Sequence, residues 1–475
     1  MRPDEQVGGR ARDLQRARPG GWPVIGDLLA MRREPLAFLA RVAREGDVVR
    51  LRLGRDVFLL NHPDHAQRVL HDNHANYRKN FFYARMKPLV GEGLLTSEGN
   101  DWKRKRRLAQ PAFHRERLAA FAGIMAHHTG ALLDRWADPA ARGAPVDVAA
   151  DMMRLTLTVV GHALFGFDLL TGADEARQAF TRALRITSDR FFALLYLPPW
   201  VPTPANLKFG RAMRVLDGLV DEVIAARRGR PPREDLLGML MEARDAEGGA
   251  GLSDEELRDE VITMVLAGHE TTASALSWAL YLLSSARESD RRLHRESAAV
   301  LGGRDATVGD LPRLEYAARV NQEAMRLYPP AWIFGREAIA ADAFGDVQVP
   351  AGATVSICPW LLHRDARFWA DPERFDPDRF LPGVAVRPRY AYVPFAAGPR
   401  MCIGNAFATM EMQIVLAMVA SRYRLELVPG QPVQVEASVT LRPRSGIWMT
   451  VVPRAAVAAD REGVASPDRD TLDGP

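Results

Sequence analysis

The strongest constraint on this chain is a helical repeat of apolar residues that runs from 253 to 285. It opens on Ser253-Asp-Glu-Glu256, a capping box in which serine and glutamate side chains satisfy two orphan backbone N–H groups. The same 3.6-residue period recurs over 115–137, 147–166, 210–228, 313–328 and 404–422. Strand signals are few. Asp47–Leu53, then Gly54-Arg55, then Asp56–Leu60 reads as a hairpin, and 347–355 and 439–452 are further candidates. The expected fold is mainly α with small β-sheets, an α+β arrangement.

Folding 475 residues buries about three quarters of the unfolded surface by the area scaling law, so a large core is available. No Gly/Ser linker and no internal repeat divides the body. Residues 19–454 read as a single domain, 1–18 as a loose segment and 455–475 as a disordered tail. With 47% hydrophobic and 26% charged residues, disordered, collagen-like and coiled-coil classes are excluded. Basic and acidic residues number 63 and 59, a net +4. Five of the basic residues are Lys, so 63 − 5 leaves 58 Arg, a skew that reflects a GC-rich genome rather than chemistry. Two cysteines, Cys358 and Cys402, exclude a disulfide scaffold and fit a reducing compartment. The N-terminus has no apolar core for a signal peptide, and no run of 18 apolar residues occurs, so no membrane anchor is expected. The longest uncharged stretch, Phe191–Leu207, is broken by four prolines. The expectation is a cytoplasmic protein.

Four elements carry chemistry. The first is Cys402, flanked by Gly398 and Gly404 and followed at once by a helical pattern. Glycines permit a tight turn and close backbone approach. Backbone N–H groups and a helix N-terminus favour a thiolate, and a soft anionic sulfur suits iron. Taken alone, a buried structural cysteine is the favoured reading. The second is Ala267-Gly-His-Glu-Thr-Thr272 inside the long helix. Threonine can bond back to a carbonyl four residues earlier and bend the helix, opening it where a ligand approaches. Glu270 could feed protons there, or be a solvated surface acid. The third is Glu323-Ala-Met-Arg326, spaced to pair along one helix face, which by itself reads as an ordinary surface pair. The fourth is Trp102-Lys-Arg-Lys-Arg-Arg107. Five successive basic residues could bind nucleic acid, but no aromatic platform is interleaved. Trp102 and Arg106 share a helix face, which suits a clamp on one anionic group beside an exposed basic patch.

Together and in this order, these elements resemble the cytochrome P450 family over about residues 19 to 454. Phe395…Gly398…Arg400…Cys402…Gly404 matches the family's haem-binding loop, Phe-x-x-Gly-x-Arg-x-Cys-x-Gly, at every defined position. The 267–272 segment matches the oxygen-activating I-helix motif, Glu323-x-x-Arg326 the K-helix pair, and Trp102-x-x-x-Arg106 the C-helix motif. The resemblance implies haem b (iron protoporphyrin IX) held between the long I helix and the Cys-loop/L helix. It makes Cys402 the axial thiolate ligand of the haem iron and Phe395 the aromatic beside its sulfur. Trp102, Arg106, Arg400 and Arg336 become the propionate-binding residues. His269, beside the motif, reads as a neutral packed histidine. A structural triad is completed by an Arg from a Pro-x-Arg-Phe motif. Of two copies, Arg379 is preferred to Arg374 because it follows Phe375-x-Pro377.

The implied activity is a haem-thiolate monooxygenase, with Glu270 and Thr271 as the acid–alcohol pair delivering protons to dioxygen. Implied partners are O2, a ferredoxin and its NAD(P)H-dependent reductase, with no nucleic acid. The exposed part of the basic run, including Lys103 and Lys105, would steer the acidic electron donor. The substrate would be a hydrophobic small molecule, with lipid, terpene, steroid and polyketide undivided. Its contacts are expected from 81–86, 191–200, 331–334 and 439–441, which are apolar and aromatic. A haem-binding sensor or carrier without turnover is the rival class, and the intact Glu270–Thr271 pair argues against it.

Overall fold

The computed structural model describes residues 26–167, 174–191, 197–228, 235–243, 251–384 and 387–454. The two terminal segments expected to be loose, 1–18 and 455–475, lie outside the described residues.

Helices dominate, and the expected ones form close to their sequence limits: Arg115–Arg135, Val148–Val160, Pro204–Arg227, Asp254–Ser285, Glu315–Leu327 and Asn405–Arg422. The long helix Asp254–Ser285 starts on its capping box, with Glu256 N–H on Ser253 Oγ at 3.2 Å and Ser253 N–H on Glu256 Oε2 at 2.9 Å. It is buried nearly all round, between Val148–Val160 on one side and Glu315–Leu327 and Asn405–Arg422 on others. The helix stays α-helical through Ala267–Thr272, so the expected local opening is not seen. Thr271 and Thr272 nevertheless bond back to Ala267 O and Gly268 O at 2.7 and 3.0 Å. Gly268 has a packing reason: a Cβ there would lie 2.9 Å from Val160 Cγ2, where the two helices cross.

Val48–Arg52 and Asp56–Leu60 form the expected hairpin. They are the edge of a five-stranded sheet that continues with Thr354–Ile357, Phe334–Ala338 and Tyr77–Lys79. The 347–355 run is not one strand. It splits into Val347–Val349 and Thr354–Ile357, which belong to different sheets, because Pro350-Ala-Gly352-Ala reverses the chain with Gly352 at φ 76°. The 439–452 run splits likewise into Leu441–Pro443 and Trp448–Pro453, with Gly446 at φ 78° between them.

The Glu323–Arg326 pair is the sharpest departure from the surface reading of those residues. Both are fully buried. Arg326 donates from Nε and Nη2 to the two carboxylate oxygens of Glu323 at 2.7 and 2.8 Å. Its other N–H groups reach the carbonyls of His363, Pro372 and Arg374 at 2.9, 2.6 and 3.0 Å. Arg379 Nε lies 3.4 Å from Glu323 Oε1, so it is the third member, whereas Arg374 supplies only its carbonyl. This cluster pins the irregular segment 372–380 that leads toward Cys402. The Val148–Phe165 segment is long and apolar enough to cross a membrane by length and composition, but 56% of it is buried inside the protein.

Candidate functional site

Cys402 sits on a loop whose backbone is bonded to itself. Its N–H donates to Phe395 O at 3.0 Å, and Met401 N–H donates to Gly398 O at 3.0 Å. Gly398 has φ 69°, and a Cβ there would fall 1.8 Å from Leu70 O, so no other residue fits. Gly404 differs from the expected turn glycine. Its φ is −85°, and a Cβ would sit in ordinary contact with Cys402 Sγ at 4.0 Å. Neither the backbone nor a clash therefore requires glycine at 404.

The loop forms one wall of a cavity of about 330 Å³. Ala267, Gly268, Thr271 and Thr272 of the long helix line it together with Cys402 and Phe395. Cys402 is accessible because it lines this cavity. Protein still surrounds it, and burial pushes its thiol above the ordinary value against the opposing Gly404 N–H and Arg106 charge.

Trp102, Arg106, Arg336 and Arg400 line the cavity as well. Arg106 donates to Met401 O at 3.0 Å, which ties the helix Gly99–Ala109 to the cysteine loop. Arg336, 5% exposed, donates to Tyr83 Oη at 3.2 Å and Gly335 O at 2.9 Å. Arg400 lies over the Trp102 ring, 4.9 Å from its centroid, and forks onto Glu98 at 2.6 and 2.5 Å. Two lining or supporting residues were missed from sequence. Glu98 is one; nothing in Ser97-Glu98-Gly99 marks it as the partner of Arg400. Lys79 is the other. It lines the cavity and donates from Nζ to Leu94 O and Ser97 O at 3.0 and 2.7 Å. The scarcity of lysine in this chain was the one available signal.

The basic run divides differently from its sequence reading. Lys103 is exposed, but Lys105 is only 2% exposed. Lys105 Nζ is 2.9 Å from Asp101 Oδ2 and donates to Glu92 O at 2.6 Å. Arg104 pairs with Glu256 and Asp101. Helical spacing turns Lys105 under the 92–97 loop, so it is a core cation rather than part of a docking face.

Thr271 Oγ1 faces the cavity with its hydrogen committed to Ala267 O. Glu270 does not line the cavity. It is 2% exposed, accepts from Thr440 Oγ1 at 2.9 Å and lies 3.6 Å from Arg442 Nη1. Burial raises its pKa, against the Arg442 charge and the Thr440 bond. His269 is held on Val265 O at 2.7 Å, packs on Phe180 and does not line the cavity; burial pushes it down to about 4, so it is neutral.

The rest of the lining is apolar, including Leu94, Leu95, Leu164 and Met264. Of the four expected substrate regions, Tyr83, Ala331 and Phe334 reach the cavity. Trp332 is core, with Nε1 on Ser438 O, and 439–441 do not line the cavity. Residues 192–196 lie outside the described residues, and Trp200 is 82% exposed.

The largely apolar space between a cysteine loop and a helix, with Lys79, Arg106, Arg336 and Arg400 in its lining, fits an iron porphyrin with two carboxylates. A family model described as Cytochrome P450 matches residues 17–449. Cyclooctatin synthase from Streptomyces melanosporofaciens is 38% identical over 451 residues, 93% of this chain and 95% of that protein. Cyclooctat-9-en-7-ol 5-monooxygenase from the same organism is 39% identical, covering 87% and 90%. Pentalenene oxygenase from Streptomyces avermitilis is 34% identical, covering 89% and 94%.

Proposed function

Because this chain belongs to the cytochrome P450 family and is an oxidoreductase of the monooxygenase type, we propose that it inserts one oxygen atom from O2 into a terpene-class substrate. The observation that carries the substrate class is the apolar wall of Leu94, Leu95, Leu164, Met264 and Phe334 facing Cys402 in one cavity. A hydrocarbon skeleton gains by leaving water for such a wall, at about 25 cal/mol per Å² buried. The relatives named for cyclooctat-9-en-7-ol and pentalenene act on compounds of that kind and support the narrowing from lipids, steroids and polyketides.

The residues fit haem b. Cys402 would hold the iron, Phe395 would pack beside the sulfur, and Trp102, Arg106, Arg336 and Arg400 would hold the propionates. Bound there, a thiolate-ligated haem supplies dioxygen activation and O–O cleavage. The chain's own part is to place protons. Thr271 has given its hydrogen to Ala267 O, so it offers lone pairs to the cavity and orients a donor such as water. Glu270, tied to Thr440 and close to partly exposed Arg442, would pass protons from that side toward Thr271, its neighbour on the helix. Glu323, Arg326 and Arg379 act only through the fold. Electrons would come from NAD(P)H through a ferredoxin and its reductase. Two free cysteines and these partners fit the cytoplasm, with 19–454 as one haem domain.

The test is spectroscopic and then chemical. The reduced protein with carbon monoxide should show the red-shifted Soret band of a thiolate-bound haem, and Cys402→Ser should abolish it while Cys358→Ala keeps it. Cyclic terpene hydrocarbons and alcohols should shift the Soret band of the oxidised protein and yield hydroxylated products. A red-shifted band that survives Cys402→Ser overturns the ligand. Spectral shifts only with non-terpene lipids overturn the substrate class.

A further inference from the structure

Four cations line the cavity: Lys79, Arg106, Arg336 and Arg400. Three are guanidinium groups, which keep their charge at any physiological pH, whereas a buried ammonium can lose its proton. Lys79 Nζ donates to two neutral carbonyls, Leu94 O at 3.0 Å and Ser97 O at 2.7 Å. Among the described residues it has no acidic side chain within ion-pair distance. The donor count then favours the amine. A neutral amine has two N–H groups, one for each carbonyl, while an ammonium has a third N–H with no protein acceptor among the described residues.

The charged groups facing Lys79 come from four elements. Glu98 at the start of the helix Gly99–Ala109 and Glu260 on the long helix favour its charge. Arg400 on the cysteine loop and Arg336 on the strand Phe334–Ala338 oppose it. The Tyr83 ring lies 6.0 Å from Nζ. Glu98 already spends its charge on Arg400. Glu260 is 1% exposed and burial pushes it up to about 7, so its opposing charge is partly neutralised. Burial of Lys79 outweighs both acids and pushes its ammonium down to about 7.

We propose, resting on the haem-binding reading above, that Lys79 is a further propionate-binding residue and that it takes up a proton as the propionates enter. The nitrogen lone pair accepts a proton from solvent and a third N–H bond forms. The amine becomes an ammonium whose new donor meets a carboxylate oxygen. The arriving porphyrin brings two negative charges, so one is matched by this proton.

The sign follows from linkage. Below about pH 7 Lys79 is already charged and docking consumes no proton. Above it each docking event consumes one, so affinity falls as pH rises, approaching about tenfold per pH unit. Cys402 works in the opposite sense with haem, since its thiol must ionise to hold iron. Iron-free protoporphyrin IX has the propionates without the iron and separates the two.

The experiment measures the equilibrium partition of haem, and of protoporphyrin IX, between the full-length protein and apomyoglobin from about pH 6 to pH 9. Wild type is compared with Lys79→Arg, which stays charged, and Lys79→Met, which never is. The affinity of wild type relative to Lys79→Arg should be constant below about pH 6.5 and fall by up to about tenfold per unit above 7, with both ligands. Lys79→Met should bind more weakly than wild type at pH 6.5 and show no such proton-linked loss. If Lys79→Arg fails to fold, the Lys79→Met comparison carries the same slope. A wild-type slope equal to that of both variants overturns the proposal, as does a Lys79→Met that matches wild type at pH 6.5. Failure of the wild type to hold either ligand at any pH overturns the haem reading itself.

Discussion

Replacing Glu323 by glutamine changes one oxygen to an NH2 group inside a sealed cluster. Glu323 and Arg326 are both fully buried, and all five guanidinium N–H groups of Arg326 are used: two on Glu323 and three on main-chain carbonyls. In Glu323→Gln the guanidinium stays buried and charged without its counter-charge, and one of its donors faces another donor. Glu323 also accepts from Asp376 N–H at 2.8 Å and steadies Arg379, so the change loosens segment 372–380 from two directions. Breaking a buried pair by removing one partner costs about 3–5 kcal/mol. For a chain of this size that is a drop in unfolding midpoint of about 3–5 °C. Arg326→Met should be worse, because it strands the carbonyls of His363, Pro372 and Arg374 at about 1 kcal/mol or more each as well as the Glu323 carboxylate. Thermal unfolding of the holoprotein checks both, and the carbon monoxide spectrum reports how much of the population has lost its thiolate band. A cost below about 1 kcal/mol for Glu323→Gln, or an Arg326→Met no worse than it, would refute the reasoning.

Thr271→Ala should leave haem content and substrate affinity in place while NAD(P)H consumption runs into peroxide; a placed proton donor or acceptor is worth about 10²–10⁴-fold, so unchanged coupling would remove Thr271 from the proton path. Lys103→Glu, on the exposed face, should slow reduction by an acidic ferredoxin, with raised salt mimicking it because exposed charges are screened over about 8 Å at physiological ionic strength. Lys105→Glu should instead lower folded yield, since it would place a carboxylate against Asp101 and Glu92 O in the core; equal folding of the two variants would contradict the burial of Lys105. Asp342 is 7% exposed; burial opposes its ionisation, but Arg68, Tyr77, the Ala343 N–H and Asn73 together hold it down to about 2. Its folded value lies below the unfolded one, so its contribution of about 2 kcal/mol is present above pH 4 and is lost as pH falls toward 2. Urea unfolding of Asp342→Asn should show a deficit near neutral pH that closes in acid.

Much of the architecture was legible because it rests on local rules. The capping box at Ser253, the 3.6-residue period and the Gly54-Arg55 turn act within a few residues, and the elements they specify formed where expected. At Gly398 the positive φ of 69° is a local demand for glycine, whereas the Leu70 carbonyl that also bars a side chain there comes from a distant part of the chain. The 347–355 and 439–452 runs failed where alternation ignored a reversing glycine, which sends each half to a separate sheet.

Sequence by itself determined the helices, the cysteine loop and the set of residue types from which the site is built. Only the tertiary structure decided what each charge faces. An i, i+3 Glu–Arg pair looks the same on a surface and in a core, yet here burial turns it into the pin of segment 372–380. Lys103 and Lys105 stand two apart in one basic run, and helix packing exposes one and buries the other. Glu98 meets Arg400 across 302 positions, and Glu270 meets Thr440 across 170. Charge–charge and hydrogen-bond energies depend on distance and on how much water is excluded, and neither is set by neighbours in the chain.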